Sequence, residues 1–211
     1  MLTSPLVRPV LCVDFERADA LSVFEPVMAT AASHAHDGGV WVLSMPATSN
    51  AAAQVAAKVR FAGRSERVRV VELDVFIESL QAQQAIPFAL LEPNVGYSEL
   101  VFRSDVTYVC NANDVDAGGE CTYTPMPPTP LPLREWLRLK TTLDFNTGRA
   151  TLVTSFVDGG AVLPQCSIAD AGLSRVGAPA EPYLWFGIMF PGVPTTGEIR
   201  YRLDNLVFDL R

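Results

Sequence analysis

Apolar and polar residues alternate along most of this chain, and short groups of turn-forming residues separate the alternating segments. Two-residue alternation is typical of strands that bury one face, and turns such as HDGG, FNTGR and PGVPTTGE recur between them. We therefore predict an all-β chain whose antiparallel strands form a sandwich or barrel. A sandwich of 211 residues fits one domain spanning residues 1–211.

The alternation predicts strands at a series of separate positions. The segment TPMPPTPLPL (124–133) is excluded from them, because its prolines cannot donate the hydrogen bonds of a central strand, and we expect an irregular loop there. The predicted strands are 10–16, 40–45, 54–62, 67–78, 85–91, 98–109, 121–125, 135–145, 149–157, 161–166, 183–190 and 198–210.

Composition excludes several classes of partner. The chain is 49% hydrophobic and 18% charged, which is the composition of a folded protein, and no apolar run is long enough to cross a bilayer. Its formal net charge is −7, and lysine and arginine form no cluster. We therefore expect neither nucleic-acid binding nor membrane insertion.

The four cysteines predict disulfides rather than a metal site, because neither a CxxC motif nor a zinc-type His/Cys spacing occurs. Cys110 and Cys121 bracket the polar loop CNANDVDAGGEC and are the expected bridge, which leaves Cys12 and Cys166 as a second pair. Oxidised cysteines indicate a secreted or cell-surface protein. The first ten residues do not resemble a signal peptide, so we expect one upstream of them.

Three stretches carry a family resemblance. The hairpin REWLRLKTTLDFNTGRATLVTSF resembles a hairpin of concanavalin A-like jelly rolls, a group that includes laminin G-like modules, lectins and family 16 glycoside hydrolases. VLCVDFE resembles the opening strand of such domains, and IRYRLDNLVFDL resembles their closing strand. The resemblance implies an antiparallel jelly-roll β-sandwich of two sheets.

The weak catalytic candidates are Glu72, Asp74 and Glu78, which alternation places on one face of a strand. In family 16 enzymes this strand has the sequence pattern E-x-D-x-E or E-x-D-x-x-E, whereas this chain has E-x-D-x-x-x-E. On a regular strand Glu72 and Glu78 would lie roughly 20 Å apart, too far for a pair that must be about 5–9.5 Å apart. We favour a solvent-facing acidic strand. The apolar parity, that is, whether the apolar residues fall on even or odd positions, reverses at Val70–Val71, and we expect a bulge there.

A structural calcium ion is implied by the resemblance, with main-chain oxygens of Glu16 and Gly39 and the carboxylate of Asp204 as ligands. The apolar parity of the last strand also switches at Asp204–Asn205, which fits either a cation site or a simple bend. His34 and His36 lie two apart in SHAHDGG, where the adjacent DGG predicts a loop and makes metal binding the weaker interpretation.

Candidate ligand contacts come from two strands. Tyr183 and Trp185 share one face of YLWFGIMF and could stack on sugars, although core packing is the commoner fate of such residues. Arg138 and Lys140 lie on the polar face of the hairpin strand and are further candidates.

The leading functional expectation is a secreted, non-enzymatic module that binds glycan or another extracellular partner, such as a protein, on its concave sheet. A family 16-like glycoside hydrolase or polysaccharide lyase is the first alternative. A structural surface or matrix protein is the second.

Overall fold

The computed structural model describes residues 11–17, 19–50, 52–61, 66–81, 84–92, 96–103, 107–113, 122–125, 131–158, 161, 166–168, 183–189 and 195–211. Within strands, only the backbone is described for residues 91–92, 96–98, 107–113, 122–124 and 166–168. The described part of the chain has no helix long and apolar enough to span a membrane.

The described residues are almost entirely strand. A single-turn 3₁₀ helix at Ala20–Val23 follows the first strand. The strands are β1 Leu11–Val13, β2 Glu25–Thr30, β3 Ser33–Asp37, β4 Val40–Met45, β5 Gln54–Arg60, β6 Val68–Leu80, β7 Ala85–Glu92, β8 Gly96–Phe102, β9 Thr107–Asn113, β10 Thr122–Pro125, β11 Trp136–Asp144, β12 Arg149–Phe156, β13 Cys166–Ile168, β14 Tyr183–Met189 and β15 Ile199–Leu210.

The strands form two antiparallel sheets, as a jelly-roll β-sandwich requires. The eight-stranded sheet has the order β13-β12-β11-β6-β15-β4-β3, with β1 also paired to β15. The seven-stranded sheet has the order β10-β9-β8-β7-β14-β5-β2. Chain neighbours such as β4 and β5 lie in different sheets, so the chain crosses repeatedly between the two layers.

The core lies between the sheets and follows the predicted alternation. Alternate residues of the strands from both sheets point into one buried cluster, and their polar neighbours point outward. Central members from the eight-stranded sheet are Val71, Leu73, Val75, Ile77, Leu137, Leu139, Leu203, Leu206 and Phe208, and those from the seven-stranded sheet are Val55, Phe88, Leu90, Leu100, Leu184, Phe186 and Ile188.

The parity switch of the last strand is confirmed as a bulge. The register of β15 against β6 shifts between Asp204 and Val207, and Asn205 adopts a φ of 48°. Asn and Asp tolerate this left-handed conformation better than other non-glycine residues. The bulge turns Leu206 and Phe208 to the same inner side as Tyr201 and Leu203, so both apolar sets are buried.

The predicted bulge near Val70–Val71 is wrong. Strand β6 pairs with β11 in unbroken register from Val68 to Phe76. The reversed parity arises instead because Arg69 occupies the inner face, where it is fully buried with its guanidinium 5.8 Å from the Phe145 ring centre. The bulge of β6 lies at Glu78, opposite the step between Arg200 and Tyr201.

Two strand predictions also need correction. The predicted strand 98–109 is a hairpin of β8 and β9, paired from Gly96↔Asn113 to Phe102↔Thr107. The loop predicted around His34 and His36 is instead strand β3, which pairs with β4 at the sheet edge. All five residues of β3 are exposed, so no buried face produced an apolar pattern there.

One contact joins the middle strands of the two sheets. Gly187 of β14 has a φ of 140°, and a Cβ atom there would lie 2.2 Å from the Val55 carbonyl oxygen of β5. Only glycine accepts this backbone position. The buried hydroxyl of Tyr201 in β15 donates a hydrogen bond to the Gly187 carbonyl across the core.

Candidate functional site

The outer face of the seven-stranded sheet brings aromatic rings, cations and a carboxyl group together. Register pairing places Lys58, Trp185, Ala89 and Glu99 in one row across β5, β14, β7 and β8. The neighbouring row pairs Arg60 with Tyr183. We call Lys58, Arg60, Glu99, Tyr183 and Trp185 the platform face.

The cations of the platform face lie over its rings. The Lys58 Nζ atom is 5.1 Å from the Tyr183 ring centre and 5.4 Å from the Trp185 ring centre. The Arg60 guanidinium is 5.5 Å from the Tyr183 ring centre. Cations within about 6 Å of a ring face are attracted to it. The result is a half-buried pair of rings with positive charge beside it, and Lys58 is further held by Glu25 at 3.0 Å.

Glu99 is the group of this face with a perturbed protonation equilibrium. Burial raises the pKa of Glu99 to about 7, and among the described residues no charged group offsets the desolvation. Its neighbour on the same side of β8 is Val101, which belongs to a small buried apolar cluster with Ala56, Ile86 and Met189. A carboxyl group beside apolar surface can exchange a proton near neutral pH.

The outer face of the eight-stranded sheet carries the predicted acidic strand, and its acids are paired. Asp74 is buried and accepts two hydrogen bonds of 2.7 Å from Arg138, with a third of 2.9 Å from the Asn205 side chain. The hydrogen bonds that Arg138 donates to Asp74 raise the pKa of the Arg138 guanidinium. Glu72 lies 3.1 Å from Lys140 and 3.7 Å from Arg138.

Glu78 is likewise held by bases. Its two carboxylate oxygens lie 2.9 Å from Arg200 Nε and 2.5 Å from Arg202 Nε. The weak catalytic candidates Glu72, Asp74 and Glu78 therefore each face arginine or lysine in the structure. A pair of opposed carboxylates, which glycoside hydrolysis requires, is not formed by these three side chains.

The structure divides the four predicted ligand contacts between opposite sides of the sandwich. Tyr183 and Trp185 lie together on the platform face, as their spacing predicts. Arg138 and Lys140 lie on the other sheet, in the ion pairs with Asp74 and Glu72. The four residues cannot contact one sugar unit, because the sheets of a sandwich pack about 10 Å apart with the core between them.

The segments proposed to hold calcium do lie together. The Glu16 carboxyl group is against Gly39, within 2.9 Å of the position a Cβ atom would take. Asp204 accepts hydrogen bonds from the amides of Phe15 and Asn205 at 3.4 and 2.8 Å. These amides supply hydrogen-bond donors to the Asp204 carboxylate without a cation. The described side chains include no group of three or more His, Cys, Asp or Glu that could hold a metal ion. Calcium remains a prediction.

One predicted disulfide is corrected. Cys12 is exposed and free. It lies in β1, whereas Cys166 lies in β13 at the far edge of the same sheet, and four strands, β15, β6, β11 and β12, lie between them. The pair Cys12–Cys166 is therefore not formed. The Cys110 side chain and all of Cys121 lie outside the described residues, so their bridge stays a prediction.

Sequence reasoning missed Lys58, Arg60 and Glu99. Lys58 and Arg60 lie in a predicted strand, and their alternation with Ala57 and Val59 places them on its outer face. For Glu99 a weak signal existed, because it is the one charged residue of GYSELVF (96–102). The pairing of the strands that carry them was the missing information.

Comparison with known proteins supports the jelly-roll assignment. No protein-family model and no curated protein sequence matches the chain. Among solved structures, a variant of the alginate lyase Aly36B in complex with an alginate tetrasaccharide is similar, with a TM-score of 0.64, 12% identity and coverage of 95% of this chain and 96% of that one. The fold is thus that of concanavalin A-like jelly rolls.

Two further structures illustrate the range of similar proteins. The alginate lyase from Klebsiella pneumoniae has a TM-score of 0.60 and 10% identity, covering 87% of this chain and 86% of that one. The CBM2 module of the evolved Dit protein of Lactobacillus casei BL23 phage J-1 has a TM-score of 0.58 and 13% identity, with coverage of 95% and 94%. At these identities the likeness establishes the fold alone.

Proposed function

We propose that this protein recognises an acidic polysaccharide along the platform face. The observation that carries the proposal is the placement of Lys58 and Arg60 over the rings of Tyr183 and Trp185. A uronate has an apolar ring face that can pack on an aromatic ring, and a carboxylate that can bind a neighbouring cation. The similar structures include an alginate lyase bound to an alginate tetrasaccharide, which supports this class of ligand.

Cleavage of the bound polysaccharide is the second step of the proposal. The lyases among the similar structures support an enzyme over the purely non-enzymatic module expected from the sequence. Glu99 is the candidate for proton transfer, because its pKa of about 7 lets it act as base and as acid near neutral pH.

The β-elimination can be written with this one group. The Glu99 carboxylate takes the proton from the carbon next to the uronate carboxyl group. The glycosidic carbon–oxygen bond at the adjacent carbon breaks as the double bond forms, and the protonated Glu99 returns the proton to the leaving oxygen. Glu99 lies three strands from Lys58, about 14 Å at 4.8 Å per strand, so Lys58 would hold a different sugar unit.

Binding is tested with an alginate tetrasaccharide and its carboxyl-reduced, neutral counterpart. We expect the Trp185 indole NMR resonance to shift with the acidic sugar and Lys58→Gln to weaken this binding about tenfold, as for loss of a charge-assisted contact. Lys140→Gln is the matched control, since it removes the same charge from the other sheet. Equal binding of the neutral sugar, or equal loss in both variants, would refute recognition on the platform face.

Cleavage is tested separately by the ultraviolet absorbance of unsaturated uronate products. Glu99→Gln should lower the rate at least a hundredfold while binding persists, as expected when an acid–base group is lost. Parent protein that binds without releasing unsaturated products would leave a binding module, the role expected first from the sequence.

A further inference from the structure

A second cleft lies on the opposite side of the sandwich, on the outer face of the eight-stranded sheet. Its volume is about 690 Å³, within the range of small-molecule sites. Strand β6 contributes Phe76 and Glu78, β15 contributes Arg200 and Arg202, and the turn before β11 contributes Arg134. We call this the arginine cleft.

The arginine cleft carries excess positive charge in a protein of net charge −7. Among the described residues, three arginines line it against two glutamates, Glu78 and Glu198. Glu78 is shared by the Nε atoms of Arg200 and Arg202, so one carboxylate neutralises only one of two guanidiniums. The side chains of Arg200 and Arg202 remain 42% and 37% exposed, which leaves donors for an anion.

Arg134 supplies a third guanidinium. Its backbone has a φ of 61°, and its amide donates a 2.9 Å hydrogen bond to the Ile77 carbonyl. This bond fixes the turn against β6, in a conformation that non-glycine residues rarely adopt. Within the described part of the chain the exposed Arg134 side chain has no hydrogen-bond or ion-pair partner. It therefore lines the cleft as a free cation.

Aromatic surface borders the same cleft. Phe76 also lines a smaller adjoining cleft of about 420 Å³, together with Arg134 and Trp136. The ring centres of Phe76 and Trp136 are 5.6 Å apart, and the Arg202 guanidinium is 5.9 Å from the Phe76 ring centre. Rings with cations beside them also form the platform face.

We propose that the arginine cleft is a second binding site for an anionic sugar residue, separate from the platform face. Its carboxylate binds between Arg134 and the Arg200–Arg202 pair, and its apolar face packs on Phe76. The site does not depend on the function proposed for the platform face, because the two lie on different sheets. One polysaccharide could thus be held on both sides of the sandwich.

The test follows the Trp136 indole resonance while an alginate tetrasaccharide is added. Arg134→Gln should weaken this binding about tenfold, because one charged contact is lost. Lys140→Gln, on the same outer face but outside the cleft, is the control for general charge, and Lys58→Gln should leave the Trp136 response unchanged. The carboxyl-reduced sugar should not bind.

Several results would overturn the proposal. The first is a Trp136 resonance that does not move when the sugar is added, and the second is equal weakening of sugar binding by Arg134→Gln and Lys140→Gln. Binding of a polyglutamate peptide in place of the sugar would also contradict the proposal. Loss of the Trp136 response in Lys58→Gln would also refute a separate site. A platform face that fails to bind, with the Trp136 response intact, would refute only the function proposed above.

Discussion

The two outer faces of the sandwich use similar residue types but balance their charges differently. On the eight-stranded sheet, Asp74 is buried in the middle of a strand and receives three hydrogen bonds from Arg138 and Asn205. On the seven-stranded sheet, Glu99 is half-buried, and desolvation raises its pKa to about 7. The first arrangement stabilises a charge, whereas the second keeps a carboxyl group ready to change its charge.

The comparison separates carboxylates that support the fold from those that could act on a ligand. A bidentate arginine fixes the Asp74 carboxylate in position. Burial disfavours the charged form of Glu99, so its ionisation costs stability. Substitutions at the two positions should therefore have opposite effects on the free energy of unfolding at alkaline pH.

The largest effect should come from the backbone beneath the platform face. Gly187→Ala places a Cβ atom 2.2 Å from the Val55 carbonyl oxygen in a backbone conformation with φ of 140°. Overpacking and strain together should cost about 3 kcal/mol or more, lowering the melting temperature by roughly 10 °C. The measurement is calorimetric melting.

Gly38→Ala is the control for backbone conformation alone. Gly38 has a φ of 57°, but a Cβ atom there would have no neighbour within 4 Å. The expected cost is about 1–2 kcal/mol. Equal melting temperatures for the two variants would show that the close approach of β5 to β14 is unimportant.

The second effect tests the paired face. Asp74→Ala removes the buried carboxylate that accepts hydrogen bonds from Arg138 and Asn205. We expect a loss of about 2–3 kcal/mol, between the values for exposed and buried ion pairs. Glu72→Gln, two residues away on the same face, should cost less than about 1 kcal/mol. Urea unfolding at neutral pH compares them.

Neither Glu72→Gln nor Glu78→Gln should change glycan cleavage more than a few-fold. A loss of about a thousandfold in cleavage would restore these carboxylates as catalytic groups.

The third prediction concerns calcium at Asp204. If calcium binds between Glu16, Gly39 and Asp204, then calcium at ten times its dissociation constant should stabilise the fold by about 1.4 kcal/mol. Asp204→Ala should remove this dependence, whereas Asp209→Ala, in the same strand, should keep it. If the melting temperature of the parent protein changes with neither calcium nor chelator, the bulge is only a bend that backbone amides stabilise.

The fourth prediction concerns the pH dependence of Glu99. The folded state raises its pKa from an ordinary 4.5 to about 7, so the folded protein binds the proton more tightly. The resulting stability is present below pH 4.5 and is lost as the pH rises through 7. Glu99→Gln should remove that loss and be more stable than the parent at pH 8 but not at pH 5.

Urea unfolding at the two pH values measures this difference. Glu135→Gln, an exposed carboxylate elsewhere, is the control. If the difference in unfolding free energy between parent and variant does not change with pH, Glu99 is ionised in both the folded and the unfolded state.

Local alternation predicted most of the core but could not predict pairing between strands. The inner residues of β6, β11 and β15 follow from their two-residue period, and so does the parity switch at Asp204–Asn205. Strands β2 and β3 were missed because they bury little apolar surface. Arg69 was misread, since the alternation rule assumes that an inward position is apolar.

The candidate site was less predictable than the fold for the same reason. Parity within a strand tells which residues share a face, but it does not tell which sheet the strand joins. Tyr183 and Trp185 were therefore grouped with Arg138 and Lys140, which lie on the opposite sheet. The pKa of Glu99 depends on burial by distant segments, which no local pattern contains.

The central position of β15 has a consequence for how the protein folds. Strand β15, residues Ile199–Leu210, lies between β6 on one side and β4 and β1 on the other. Until residue 210 has left the ribosome, these three partners present unpaired strand edges, and such edges favour aggregation. A nascent chain stalled after residue 190 should therefore be captured by chaperones or proteases, while one extended past residue 211 should fold.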